Sequence, residues 1–458
     1  MAPEDRDRRR RPAWSLTDVL LCILAVVAAG CLIAWFWPGS IGWDFQQSLE
    51  ESASRTYSGH QPQSAAVAVS LLTLGTSSAI ALFIIKVVAY FGTLIAFVYG
   101  GRAPLAIRLG GAAILFAPAF LYLAPLLRGN GLEMAFLGLG IASGVSMKKG
   151  GWAVSVLSLL VATLFSSAPH PGHAALVLLF FLWHFPDWSL RRHALAASAS
   201  AVAILIPVLA VHRATGGDRS STLYVSALNG TAGLVKFGAK PCLPRDIVRG
   251  AASASQVLAE HNAYPDISDI IWASEVGFQD PYELSVDQRK AAIDCWRRMI
   301  RADPRAFLYE RIALLRLTMS AGGLEPHFVF LQEGTTIRLN TESVEGMDLP
   351  SGADLVLAYG HAGEEHGLNT FLPYLILFST TSLLVLLLAP GYRLFSLAGA
   401  VCVVGFCLPQ MLMAQGVSFR YYSAPAFVAT WISLLHVWIL LRRTRWGGEV
   451  PLATRQRR

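Results

Sequence analysis

The residue types best suited to chemistry gather in one stretch, Gly42-Trp43-Asp44-Phe45-Gln46-Gln47 followed by Tyr57-Ser58-Gly59-His60-Gln61-Pro62-Gln63. Asp44 comes a few residues after an apolar run, 19–37, long enough to cross a bilayer. That position sets it near a membrane surface, where a carboxylate is costly unless it is paired or working. With an ordinary pKa of about 3.9 it is ionised at neutral pH. It suits a general base, or a group that orients a hydroxyl nucleophile. A second reading stands beside this one: an Asp that caps a helix starting near Phe45. His60 shares its loop with Tyr57, Gln61 and Gln63, which makes a polar site more plausible than for a lone histidine.

Cations come next. Arg128 sits in the turn Arg128-Gly129-Asn130, and Arg420 leads Arg420-Tyr421-Tyr422. A guanidinium offers a rigid fork that matches phosphate. The competing reading for Arg420 is an interface anchor beside two belt tyrosines. Lys86 lies inside an apolar run, where a charge needs a partner or a cavity, and Glu133 is the candidate partner. The turn Ser166–His173 carries His170 and His173 without a nearby carboxylate, a weak metal signal. The run from His361 to His366 fits neither H-E-x-x-H nor H-x-x-E-H and reads as a polar connector. No metal-ligating set is assigned. Neither a P-loop, a dinucleotide-binding glycine motif nor a G-x-S-x-G elbow is present, which disfavours nucleotide-driven chemistry.

The elements that must hold these residues can be read from composition. The 458-residue chain is 54% hydrophobic and only 15% charged. Soluble domains carry about 25% charged residues. The deficit excludes an ordinary soluble enzyme, a disordered chain and a disulfide-rich secreted module. Apolar runs occur near 19–37, 79–100, 107–127, 131–147, 151–168, 173–187, 194–211, 369–389, 393–413 and 419–441, which predicts about ten transmembrane helices. Ser64–Leu74 is apolar but too short to cross.

Charge decides the parity. With Ser64–Leu74 in the interface, the segments on one side hold eighteen Lys and Arg, against three in the opposite short loops: Arg55, Arg128 and Arg420. The positive-inside rule then puts both termini in the cytoplasm, and residues 38–78 and 212–367 outside. The net charge of +7 divides accordingly: residues 212–367 carry −5 and the remainder +12, a membrane-orientation pattern and not a nucleic-acid face. The resulting plan is all-α. A basic tail 1–18 leads into a membrane core 19–211 that contains the first outside loop, 38–78. An outside domain, 212–367, mostly helical with minor β, is inserted before the last three spans. Residues 368–441 complete the membrane core, and 442–458 form a basic cytoplasmic tail.

Within the outside domain, residues up to about Ala251 are rich in Gly, Ser and Thr. Ser285 and Gln288 form a capping box ahead of a helical face of Ala292, Cys295, Trp296 and Ile300. Asp303-Pro304 divides that helix from the next, whose apolar stripe is Leu308, Ile312, Leu315 and Met319. Arg305, Arg311 and Arg316 flank the stripe, as a solvated border or as contacts to lipid head groups or a phosphate-bearing substrate. Phe328–Leu331 and Thr336–Leu339 give short strand signals. Cys242 and Cys295 are the domain's two cysteines. An oxidising compartment permits a disulfide between them, and their proximity is left open. Cys22, Cys31, Cys402 and Cys407 read as small apolar filler in the spans.

Taken together, this pattern resembles the GT-C superfamily of integral-membrane glycosyltransferases, in its bacterial form. The resemblance rests on the basic N-terminus, the single span and the early outside Asp44. It also rests on the Tyr57-x-x-His60-x-Pro62 turn, the many-span body with a late outside domain, the stretch Cys295–Pro304 with Tyr309 and Arg311, and Phe419-Arg420-Tyr421-Tyr422. It implies transfer of a sugar from a polyprenyl-phosphate donor to an envelope glycan, glycolipid or protein acceptor on the outer side of the inner (plasma) membrane. Carried over residue by residue, it makes Asp44 the acid–base group. Arg420, Arg128 and Lys86 become candidates for the donor phosphate, and Tyr57, His60, Gln63 and Tyr421 for sugar or acceptor. Implied partners are that donor, a glycan or lipid acceptor and membrane lipids, and no nucleic acid. Many members have an acidic pair where this chain has Asp44-Phe45, often used with a divalent metal, so a divalent metal stays open as a cofactor and no other is implied. Gln61 and Gln63 around Pro62 also depart from a more apolar turn. The competing functions are a transporter or flippase of lipid-linked glycans, and a polymerase or ligase of envelope polysaccharide. A transporter would favour inverted repeats around a midplane site. Here the apolar runs divide seven and three without an obvious repeat, and the candidate charges lie near one surface.

Overall fold

Apolar segments in a chain this poor in charge must satisfy their own backbone polar groups, and a helix does so within one segment. A computed structural model of the protein describes residues 15–445 apart from 38, 42, 58–62, 100–102, 147–150, 167–170, 186–187, 216–219, 251–252, 261–270, 272–276, 282, 321–328, 331–352 and 414–421. The first half comprises α1 (Leu16–Trp35), α2 (Trp43–Ser54), α3 (Gln63–Leu72), α4 (Ala79–Tyr99), α5 (Leu105–Leu115), the short α6 (Pro118–Leu121), α7 (Gly129–Ser146), α8 (Gly151–Phe165), α9 (Pro171–His184) and α10 (Leu190–Ala214). After α11 (Ser220–Lys236), α12 (Ala254–Glu260), α13 (Val286–Ala302), α14 (Pro304–Ser320) and α15 (Ala353–Glu365), the chain closes with α16 (Leu372–Leu388), α17 (Arg393–Met413) and α18 (Ser423–Arg445). Three two-residue strands, β1 (Ser40–Ile41), β2 (Leu126–Leu127) and β3 (Val329–Phe330), form one small sheet.

Among the described residues, five helices are long and apolar enough to cross a membrane: α1, α4, Leu190–Val211 in α10, Pro390–Leu412 around α17, and Ser423–Arg443 in α18. Helices α3, α5, α8, α9 and α16 are apolar but shorter. The run 107–127, expected as one span, is interrupted. Helix α5 stops at Leu115, Pro118 opens α6, and the chain then extends into β2. Proline has no N–H to continue an α-helical ladder, so a break at Ala117-Pro118 is the local outcome. Ser64–Leu74 becomes α3, which buries Ser64, Ala65, Ala66, Ala68 and Val69.

Contacts sort the helix ends into two layers. In one layer, Ser15 and Asp18 form a capping box at the head of α1, and Asp18 also pairs with Arg108 near the head of α5. There too, His184 at the end of α9 meets the Gly144 carbonyl near the end of α7, and Arg442 near the end of α18 lies 5.5 Å over the Trp183 ring. Phe97 near the end of α4 touches Trp438 in the same region. The other layer holds the sheet. Here Phe371, before α16, meets Tyr422, before α18, and Tyr359 of α15 donates to the Phe116 carbonyl after α5 at 2.9 Å.

Two small cores hold the segment from α11 to α14. One packs Tyr224, Val225 and Leu228 of α11 against Ile247, Val257, Phe278 and Leu284; the other sets Ala227 and Leu234 against Trp296, Met299 and Ala306. Helix α11 grows out of the Gly/Ser/Thr-rich stretch where sequence signals no helix. Its glycines explain this. A Cβ on Gly230 would collide with the Trp296 indole, and one on Gly233 with the Glu310 side chain. Close packing on α13 and α14 thus overrides weak local propensity. Helix α13 starts at the expected Ser285/Gln288 capping box. Cys242 and Cys295 form a disulfide, with Cα atoms 5.5 Å apart. On α14 the expected stripe divides: Leu315 and Met319 pack on the main core, and its first half does not. Leu308 (58% exposed) and Ile312 face outward, while Ala306, Glu310, Arg311 and Leu314 are buried. The reason lies in a Glu310–Arg311 pair whose guanidinium also donates to the Met411 and Leu412 carbonyls at the end of α17, at 3.4 and 3.2 Å. The strand signal at 328–331 is realised as β3, while that at 336–339 lies outside the described residues.

Candidate functional site

The sheet is the site's foundation. Strand β1 pairs in parallel with β2, Ser40 opposite Leu126 and Ile41 opposite Leu127, and antiparallel with β3 on its other side. Ser40 Oγ donates to the Pro125 carbonyl at 3.0 Å and fixes that register. Parallel strands run in one direction, so the segments leaving them emerge at the same end of the sheet. Helix α2 starts at Trp43 and helix α7 at Gly129, each two residues past its strand. Asp44, the second residue of α2, and Arg128, at the head of α7, are therefore neighbours in the fold, though far apart in the chain. Two helix N-termini open together at this corner, and each carries partial positive charge. Asp44 lies inside the first turn of α2 and not at the N-cap, because the helix starts at Trp43 and not near Phe45. Its side chain lies outside the described residues.

Phe45 anchors the α2 turn. It is buried, with its ring 6.2 Å from Phe165 at the end of α8, and Phe165 stacks in turn on Phe136 of α7 at 6.4 Å. Arg128 is half-buried. Lys86 is fully buried in α4, and its Nζ donates to the carbonyls of Leu123 (2.6 Å) and Leu126. This corrects the expected partnership with Glu133. The extended turn before β2 brings two carbonyls to the ammonium first, and a lysine in an apolar interior takes the acceptors within reach. Glycine at 131 makes room, since a Cβ there would lie 2.5 Å from Lys86 Nζ. Lys86 thus pins the strand that leads into Arg128.

Glu133 pairs instead with His173 of α9, Oε1 to Nε2 at 3.4 Å, both buried. The His173 ring packs 4.8 Å from Phe406 of α17. Sequence reasoning named both residues but did not join them. Their meeting depends on how α7 and α9 pack, which no local spacing encodes. It missed Glu51 altogether. This glutamate is buried on α2 and accepts from Gln47 Nε2 at 3.1 Å. The signal was available, because Glu51 follows Asp44 by two helical turns.

Gln63 begins α3 and is buried, with its Oε1 accepting from Thr215 Oγ1 at the end of α10. Tyr57 is half-buried in the connection after α2. His60, His170, Arg420 and Tyr421 lie outside the described residues. Their neighbour Tyr422 is buried against Phe371, with ring centroids 5.5 Å apart. The structure therefore brings together the backbone positions of Asp44 and Arg128, with Lys86 behind them, and sets Gln63 on the adjacent α3. No three His, Cys, Asp or Glu side chains converge among the described residues. Chemically, the corner combines the backbone position of an aspartate, an arginine and two helix N-termini, and helix N-termini favour an anionic ligand. Comparison of the chain with protein-family models, with curated proteins and with solved structures finds no match.

Proposed function

We propose that the protein is an integral-membrane transferase of the GT-C kind, which moves a sugar from a polyprenyl-phosphate donor to a glycan, lipid or protein acceptor on the outer side of the membrane. The observation that carries the reading is the parallel pairing of β1 with β2, which puts the Asp44 and Arg128 positions at one corner. In the proposed reaction an acceptor hydroxyl attacks the anomeric carbon and its proton passes to the Asp44 carboxylate. The bond from that carbon to the phosphate oxygen breaks, and the electron pair leaves with polyprenyl phosphate. Arg128 offsets the departing charge, joined by Arg420 on the strength of the resemblance. Lys86 acts in this scheme as a positioning residue, through the turn that ends at Arg128.

The accompanying topology is ten crossings with both termini cytoplasmic. Two independent features support it. The loops richest in Lys and Arg join helix ends of one layer, and the sheet and α15 lie in the other. The Cys242–Cys295 disulfide suits an oxidising outer compartment for the domain that contains it.

The test is Asp44→Asn in the native membrane, with envelope glycans compared by mass spectrometry against wild type and a deletion strain. The expected result is loss of the same sugar that the deletion loses, with the variant inserted at normal level. Wild-type glycans from the variant, beside altered ones from the deletion, would remove Asp44 from the chemistry and favour transport or ligation.

A further inference from the structure

Helix α14 carries an outward stripe whose composition is unusual for a water-facing surface. Arg305, Leu308, Ile312 and Arg316 recur at intervals of three or four residues, and all are exposed, as is Tyr309 beside them. The stripe thus has an apolar centre with an arginine at each end. Leu308 is 58% exposed and Tyr309 62%. Through its other residues, toward its C-terminal half, the same helix is fixed to the membrane-type body. Arg311 donates to the Met411 and Leu412 carbonyls at the end of α17, and Leu315 and Met319 pack on the main apolar core. A helix held against the end of an apolar spanning helix lies at the level where hydrocarbon gives way to head groups.

We propose that the outward face of α14 docks on the outer-leaflet lipid surface, with Leu308, Tyr309 and Ile312 in the upper acyl region and Arg305 and Arg316 on lipid phosphates. The composition matches an interfacial helix, in which apolar side chains insert and flanking cations reach anionic head groups. Tyrosine favours that boundary for its apolar ring and polar tip. The anchor to α17 adds continuity, because it fixes the depth of the face without help from the lipid. Exposed leucine and isoleucine then have a solvent of their own, which an aqueous setting would deny them. This inference uses the proposed topology and is independent of the transferase reading.

The experiment uses the full chain in lipid nanodiscs, with Cys22 and Cys31 replaced by alanine and one introduced cysteine carrying a nitroxide. Leu308→Cys reports on the face, and Asp294→Cys, on an exposed position of α13, is the aqueous reference. Accessibility to oxygen and to a water-soluble nickel complex gives the depth of each label. The label at 308 is expected to favour oxygen several-fold over that at 294, more strongly with anionic lipid present. Combined Arg305→Glu and Arg316→Glu should erase the anionic-lipid increment, while added inorganic phosphate should leave the depth unchanged. A label at 308 as water-accessible as that at 294 in every lipid overturns the proposal. Protection that appears only with two copies per disc also overturns it, in favour of a self-association surface.

Discussion

A lysine that ends on two backbone carbonyls in an apolar interior fixes chain and side chain together. Lys86→Met would leave the Leu123 and Leu126 carbonyls without their donor, and a buried unsatisfied acceptor is expensive. The expected loss is about 2–3 kcal/mol, read as a lower thermal midpoint in detergent. Gly131→Ala should reproduce part of it, since the new methyl displaces the ammonium. The Glu133–His173 pair invites a different measurement. A double-mutant cycle with Glu133→Gln and His173→Phe should give a coupling of order 1–3 kcal/mol, and near-additive losses would show that the two do not interact. Glu310 supplies the pH dependence. Burial raises its pKa above the usual carboxylate range, and Arg311 only partly opposes that. Between the ordinary value and the raised one the folded protein holds the proton more tightly than the unfolded chain, so stability falls as pH rises through that window. Melting curves across mildly acidic pH should show this slope in wild type and lose that component in Glu310→Gln. At this scale the sequence singled out Asp44, Arg128 and Lys86 through their rarity in apolar surroundings. It missed the partner of Lys86 because backbone carbonyls leave no mark in a sequence.

Elements here are shaped by what packs on them as much as by their own residues. The capping boxes at Ser15 and Ser285 arise from contacts three residues apart, and the one at Ser285 was legible for that reason. Helix α11 was not, because its glycines serve Trp296 and Glu310, which come much later in the chain. The α14 stripe kept the helical period but divided: Leu315 and Met319 pack on the main core, while Leu308 and Ile312 stay exposed beside a buried Glu310–Arg311 pair held on α17. Where α9 crosses α17, Gly172 and Gly405 touch backbone to backbone. A Cβ on Gly405 would lie 2.7 Å from the Gly172 nitrogen. Such close approach is what small residues allow between membrane helices. Gly405→Ala should therefore lower the thermal midpoint clearly, because a backbone cannot swing aside as a side chain can. The disulfide acts at this scale as well. Cys242 tethers an exposed loop to buried Cys295 of α13 across 53 residues. Cys242→Ser with Cys295→Ser should cost about 2–5 kcal/mol. Thiol alkylation of the wild-type chain taken from native membranes, with and without reductant, would show whether the bond forms in place.

For the molecule as a whole, composition and apolar runs foretold a helical membrane protein, and the fold has that character, with five helices among the described residues long and apolar enough to cross. The break at Pro118 was visible in the residues, but an unbroken hydropathy run masked it. The small sheet escaped notice almost entirely, since two-residue strands carry no periodicity. Its make-up has a consequence for how the protein is built. Its strands come from residues 40–41, 126–127 and 329–330, so the first waits through most of synthesis for the last. Until the ribosome has delivered Phe330, β1 lacks its antiparallel neighbour. A nascent chain halted before β3 would carry every apolar helix through α10 and still lack a finished sheet. Closure of the sheet by β3 is thus a late step of biogenesis, long after β1 and β2 are available to bring the Asp44 and Arg128 positions together.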